Sequence, residues 1–130
     1  MNLAERVRDE DHWHIPTVEE TPRATSSQEG RLGGKVEAAL VAGGAPIDSD
    51  VLKVGHHGSR GSSSAQFLDS VSPAIAVISV GEDNRFGHPH DETLGALARH
   101  VSEDLLFLTR DRGTVEFITD GKTLKLKTKR

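Results

Sequence analysis

The segment Ala74 to Val80 reads AIAVISV, with Ser79 its one polar residue. A run this apolar, and without alternation, predicts a strand buried on both faces. It is far short of the roughly 18 apolar residues that a membrane helix needs, and no other run comes closer. The rest of the chain must therefore supply cover for a central strand. Aromatic residues are only 4% of the 130, so aliphatic side chains have to build that core. A chain of this length can bury about two thirds of its unfolded surface. There is no cysteine, which excludes a disulfide framework and any thiolate zinc site.

Elements on either side of this run are legible from pattern. Val51 to Val54 is a short apolar strand ending at Gly55. Ser62, Ser63 and Ser64 offer N-caps, and Ser63 with Gln66 three residues on makes a capping box, for a helix with Phe67, Leu68 and Val71 on its apolar face, closed by Pro73. Gly81 to His90 is a loop. A second helix runs from Asp91 to Val101, with Leu94, Leu97, Ala98 and Val101 at i, i+3, i+4 and i+7. Leu105 to Thr109 is a strand, Asp111 to Gly113 a turn, and Thr114 to Thr119 the returning strand. Asp120-Gly121 turns the chain into Thr123 to Lys127, where Leu and Lys alternate as on an edge strand. The order β-α-β-α-β-β-β describes an α/β fold, a mixed sheet covered by helices on one side.

The N-terminal quarter has a different texture. Residues 1–50 carry five Lys/Arg against ten Asp/Glu, while residues 51–130 carry eleven against ten. Residues 1–34 show no sustained period and few apolar side chains, which predicts an acidic, flexible lead-in. A short helix near Leu3 to Arg8 fits within it, and a helix from Lys35 to Ala42 follows, stopped by Gly43-Gly44. Residues 35–130 form the folded part. The N-terminus has no basic segment followed by an apolar one, so no signal peptide is read there, and the chain expressed alone is expected in the cytoplasm.

Four groups of residues carry candidate chemistry. In the first, the strand Val51 to Val54 delivers Gly55-His56-His57-Gly58-Ser59 to its C-terminal end, where ligands bind in open α/β sheets. Neutral imidazole is a common metal ligand. Neighbours on a strand point in opposite directions, so one of His56 and His57 would coordinate and the other would orient substrate. Ser59 offers a hydroxyl to a phosphate. Against this stands the plainer reading, a strand-end loop with two histidines and no ligand. The second group is Asn84 to His90, again after a buried strand. Here Arg85 with His88 and His90 can bind phosphate, while Pro89 and His90 equally suit a plain helix start. In the third, Asp9, Asp11, His12 and His14 have chelating spacing but no scaffold, and read better as a solvated tail. The fourth, Lys122 to Arg130, holds five positive charges and no acid, which can contact nucleic acid and reads more simply as a solvated edge strand. No P-loop, GxGxxG or GxSxG pattern is present.

Taken together, DVLKVGHHGS (50–59), AIAVISVGEDNRFGHPH (74–90) and TRDRGTVEF (109–117) resemble the C-terminal half of a metallo-β-lactamase-fold hydrolase. The nearest likeness is to the extracytoplasmic hydrolase domain of ComEC-type DNA-uptake competence proteins. The resemblance extends over about residues 36–128. It implies half of an αββα sandwich with a two-metal site at one edge, zinc or manganese activating a water against a phosphodiester. It implies DNA as substrate, the strand that is not transported. By position, one of His56 and His57 becomes the last metal ligand and the other a substrate or proton-transfer residue. His88 and His90 fall in the family's GHPH segment at the site rim.

The family's main metal motif, of the type HxHxDH, is absent from these 130 residues, as are its next histidine ligand and its Thr-Gly-Asp segment. Alone, the chain is expected to bind metal weakly, to hydrolyse poorly and to expose an apolar sheet face. The missing N-terminal half or self-association would complete it. The competing expectation is a non-catalytic nucleic-acid-binding or interaction domain that uses Arg85, His88, His90 and the basic C-terminus.

Overall fold

The computed structural model describes residues 29–130. The readings that fall on residues 1–28, namely the bulk of the acidic lead-in, the short helix near Leu3 to Arg8 and the Asp9, Asp11, His12, His14 group, lie outside the described residues.

Three parallel strands form the centre, β1 (Val51–Lys53), β2 (Ile75–Ile78) and β3 (Leu106–Leu108), in the spatial order β1-β2-β3. The register sets Val51 against Ile75 and Lys53 against Val77, then Ala76 against Leu106 and Ile78 against Leu108. The middle strand is the apolar run, as its composition predicts. Both crossovers carry a helix, α2 (Ala65–Val71) and α3 (Asp91–Ala98), with α1 (Glu29–Ala42) preceding β1. A one-turn helix α4 (Thr109–Arg112) leads from β3 into a hairpin of β4 (Thr114–Thr119) and β5 (Leu124–Lys129).

Side chains alternate across the sheet, and each face builds its own cluster. Leu52, Val54, Ala76, Ile78 and Leu108 meet Phe67, Leu68 and Val71 of α2, Leu97 of α3 and Val101 beyond it. On the opposite face Val51, Ile75 and Phe107 meet Val115, Phe117, Leu124 and Leu126 of the hairpin. The period of two along β1, β2 and β3 makes this division obligatory. The hairpin thus covers the second face. Phe86 and Ile118 are the large hydrophobic side chains exposed among the described residues, in place of the open apolar sheet face expected.

Several expectations are corrected. The strands form two sheets, one parallel and one antiparallel, where one mixed sheet was expected. The hairpin leaves the parallel layer because α4 intervenes: Thr109 Oγ1 donates to Val80 O at 3.0 Å and accepts from Val80 N at 2.9 Å. That exchange occupies the Val80 groups a continued strand pairing would use, so Thr109 to Arg112 coils where a simple turn was read. The cap of α2 is Ser64, whose Oγ accepts from Phe67 N at 3.2 Å, and not Ser63. Helix α3 ends at Ala98, which is exposed, while Val101 is buried in the turn that follows. Helix α1 starts at Glu29 and passes through Gly33-Gly34, where a boundary was read. A Cβ on Gly34 would collide with the backbone oxygen of Gly61, so this glycine serves close packing.

Two further details hold the periphery. His100 has both ring nitrogens facing acceptors, Ala96 O at 3.0 Å and Asp69 Oδ1 at 2.7 Å. These partners, the Ala96 carbonyl first, raise its pKa. Asp120 accepts from the N–H groups of Thr123 and Lys122, which holds its carboxyl at about 2. The turn signal at Asp120-Gly121 is thereby realised.

Leu68 has no exposed surface and touches the centre of the larger cluster. Leu68→Ala is expected to cost about 2–5 kcal/mol, and Ile118→Ala, 40% exposed, no more than about 0.5 kcal/mol. Urea unfolding of both variants measures the difference.

Candidate functional site

Parallel pairing of β1 with β2 brings the chain out of both strands at the same sheet edge. The two histidine segments leave from there. After β1, Val54 N continues the ladder by donating to Val77 O at 2.9 Å. Gly55–Gly58 then forms a tight 3-10 turn in which His56 (φ 47°, ψ 44°) and His57 (φ 54°, ψ 26°) are both left-handed. The expected opposite pointing of neighbours on a strand therefore does not apply, because His56 and His57 lie beyond the strand. Non-glycine residues in this conformation cost of order 1 kcal/mol or more each, and persist where surroundings over-determine them.

Those surroundings can be named. Ser62 Oγ lies 3.0 Å from Gly55 O and 2.9 Å from Ser59 O, and Ser59 N donates to His56 O at 3.0 Å. Thr93 Oγ1, buried on α3, donates to Ser59 O at 2.9 Å. Glu37 of α1 is also buried, 1% exposed. Its carboxylate accepts Ser63 N at 2.8 and 2.9 Å and Ser64 N at 3.4 Å. Burial pushes the Glu37 pKa up, and the Ser63 and Ser64 N–H groups oppose that rise. Ser63 is itself left-handed, at φ 61°.

The second segment folds around Asn84. Its Oδ1 accepts from Phe86 N at 3.0 Å and from His88 N at 3.2 Å, and its Nδ2 donates to His88 O. The two segments are then stitched together. His90 N donates to Gly58 O at 3.0 Å, and Arg60 N donates to His90 Nδ1 at 3.1 Å. Gly58, at φ 78°, lies so close to Pro89 that a Cβ there would sit 2.5 Å from the proline Cβ. Only glycine satisfies both the angle and the contact.

The outcome is a cluster of four imidazoles. His88 is its hub, with ring centroids 4.8 Å from His90, 5.6 Å from His56 and 6.4 Å from His57. His56 and His57 are 6.3 Å apart, and Phe86 stacks on His88 at 5.8 Å. The His88 pKa is lowered, first by burial and then by the proximity of His90, His56 and His57. Hydrogen bonds also fix two tautomers. His57 Nδ1 faces Ser79 O at 2.6 Å and must donate, leaving Nε2 with a lone pair. His90 Nδ1 accepts from Arg60 N, so in the neutral ring Nε2 carries the proton. The cluster thus offers both a base and a donor.

Not every residue read as a site residue joins it. Ser59 is buried, 6% exposed, and its Oγ has no hydrogen-bond partner among the described residues, whereas His56 and His57 are exposed. Arg85 is exposed, and none of the hydrogen bonds or ion pairs among the described residues involves it. His90 occupies the N-cap position of α3 without a side-chain cap bond. In the basic C-terminus, Arg130 pairs with Glu82 at 3.6 Å, and Lys125, Lys127 and Lys129 alternate along β5, with Lys127 opposite Glu116. Sequence reasoning missed Glu37 and Thr93, and gave Asn84, the first residue of the second group, no role of its own. The signal for Glu37 was available: it sits three and four residues before Leu40 and Val41, on the inward stripe of α1.

The fold is α/β, and four histidines cluster at the C-terminal edge of its parallel sheet. Comparison with known proteins adds competence proteins to that description. ComE operon protein 3 of Bacillus subtilis (strain 168) is 45% identical over 71 residues, 55% of this chain. Competence protein ComA of Neisseria gonorrhoeae is 43% identical over 72 residues, 55% of this chain. Recombination protein 2 of Haemophilus influenzae is 45% identical over 53 residues, 41% of this chain. The matched stretches are 9%, 10% and 7% of those relatives, so the chain spans about a tenth of their length. These homologues support the competence family that the sequence resembles. No protein-family model matches the chain, and no solved structure does.

Glu37→Ala leaves the N–H groups of Ser63 and Ser64 without their partner, a loss of about 1–3 kcal/mol. Glu37→Gln keeps one carbonyl acceptor and should recover part of it. Chemical denaturation, with amide exchange at Ser63, measures both.

Proposed function

We propose that this chain is the histidine-bearing part of a DNA-uptake protein of the competence type, and that its four-imidazole cluster handles a DNA phosphodiester. The observation that carries the reading is the convergence of His56, His57, His88 and His90 at one sheet edge, from two segments separate in sequence. The homologues named for competence support the biological setting. An imidazole N–H donates to a phosphoryl oxygen, and an imidazole lone pair can take a proton from an attacking water. His90 and His57 are held in the tautomers that these two tasks require.

The finer reading is a metallo-β-lactamase-type phosphodiesterase or nuclease using zinc or manganese. Here the residues described do not suffice for the metal. Among the described residues no group of three or more His, Asp or Glu side chains is placed to hold one ion. On this reading one of His56 and His57 contributes a single ligand, and the remaining ligands come from outside the described residues. No catalytic step is assigned through a metal on these residues alone.

The His88 pKa separates anion binding from metal binding. A phosphodiester among the rings favours the imidazolium and raises that pKa, while a metal ion competes with the proton and lowers it further. NMR titration of the histidine ring protons is expected to show an upward movement of His88 with dimethyl phosphate present. A His88 titration that dimethyl phosphate leaves unchanged overturns the anion reading.

Binding of a fluorescein-labelled oligodeoxynucleotide, followed by anisotropy with chelator present, tests the proposal as a whole. The affinity is expected to weaken with salt and to fall at least severalfold in His56→Ala and His88→Ala. Binding that depends on Lys125 and Lys127 but on none of the histidines would favour the non-catalytic nucleic-acid-binding alternative instead.

A further inference from the structure

We infer that the exposed ring of Phe86 is a stacking subsite for an unpaired nucleobase, one ring away from the histidine cluster. The inference rests on the reading of that cluster as a DNA phosphodiester site. Phe86 is 77% exposed, far more than Ile118, the other large hydrophobic side chain exposed among the described residues. Nothing in folding accounts for a large apolar ring at this position, because it adds almost nothing to either core cluster.

The segment around it is nevertheless organised. Asn84 accepts the N–H groups of Phe86 and His88 and returns a bond to His88 O. The ring is therefore held in a defined place. Its inner neighbour is His88, with the planes only 24° apart, and His88 in turn lies within 20° of the His57 plane. Phe86 and His57 thus each lie within 24° of the His88 plane, and Phe86 is open to solvent.

A flat, exposed, apolar ring stacked beside His88 fits one face of a planar base. Aromatic stacking is tolerant of base identity, as every base has a π-face. A base inside a duplex already has both faces covered by its neighbours, so the subsite takes a base that is single-stranded or extruded. The loop that carries the ring holds one arginine, Arg85, and two acids, Glu82 and Asp83. Arg85 is exposed beside it, and Glu82 on the same loop is faced by Arg130 at 3.6 Å. The subsite would seat a base while the neighbouring phosphate reaches the imidazoles.

The test uses the 130-residue chain and three fluorescein-labelled DNAs: a mixed-sequence single-stranded 12-mer, an abasic strand of the same length, and a hairpin-closed duplex. The unsubstituted protein is expected to bind the base-bearing strand about tenfold more tightly than the abasic strand, within the range for one base–aromatic stack. Phe86→Ala should abolish that preference while leaving the abasic affinity unchanged, and Phe86→Trp should restore it. An unchanged urea midpoint confirms that these variants fold. Equal binding of base-bearing and abasic strands by the unsubstituted protein overturns the inference, as does a preference that survives Phe86→Ala. Loss of binding in His88→Ala alongside either result leaves the phosphodiester reading standing. Failure of the unsubstituted protein to bind any of the three DNAs overturns both.

Discussion

The parallel pairing of β1 and β2 is the constraint on which everything else depends. Parallel neighbours end at the same edge, so the segments that follow them begin side by side. Val51 opposite Ile75 and Lys53 opposite Val77 fix that edge, and the backbone bond from His90 to Gly58 closes it. A slip of one residue would turn Leu52, Ala76 and Ile78 away from the helices and separate the histidines. The burial of Leu68, Val71 and Leu97 against these strands is therefore also what holds the imidazoles together.

A second layer of control comes from polar groups inside the fold. Three consecutive functions fall on ten residues, 55–64: a turn with two left-handed histidines, a return through Ser59 and Ser62, and the cap of α2. None of these is a low-energy choice for an isolated peptide. Glu37 from α1 and Thr93 from α3 both bond the segment, at Ser63 and at Ser59. A buried carboxylate is costly unless hydrogen-bonded, and here the N–H groups of Ser63 and Ser64 supply its partners. The arrangement links the helix before the sheet to the histidine turn after β1, two parts of the chain with no pattern in common.

The site is also asymmetric in a chemically useful way. His57 is held with Nδ1 as donor and His90 with Nδ1 as acceptor, so similar side chains present opposite faces to a ligand. Burial, and then the proximity of the other three rings, keeps His88 from taking a proton as readily as an ordinary histidine. Such a cluster is poised to gain from an anion. It is a physical basis for the phosphodiester reading that does not depend on the likeness to competence proteins.

The sequence by itself determined the α/β class, the central strand, the order of the elements and the two histidine segments. Each rests on a local signal: the unbroken apolar run at 74–80, the 3.6-residue period through Leu94 and Leu97, the glycines beside His56-His57. It did not reveal that the hairpin leaves the parallel sheet, which of Ser62, Ser63 and Ser64 caps α2, or that Arg85 makes no bond among the described residues while Ser59 is buried. Only tertiary structure decided those points. Hydrogen bonds between residues about 29 apart, as from Thr109 to Val80, and close contacts such as Gly58 with Pro89 leave no periodic trace in the chain. Local pattern reports which face of an element is buried. Which residues meet across two loops is settled by register and packing, after the elements have formed.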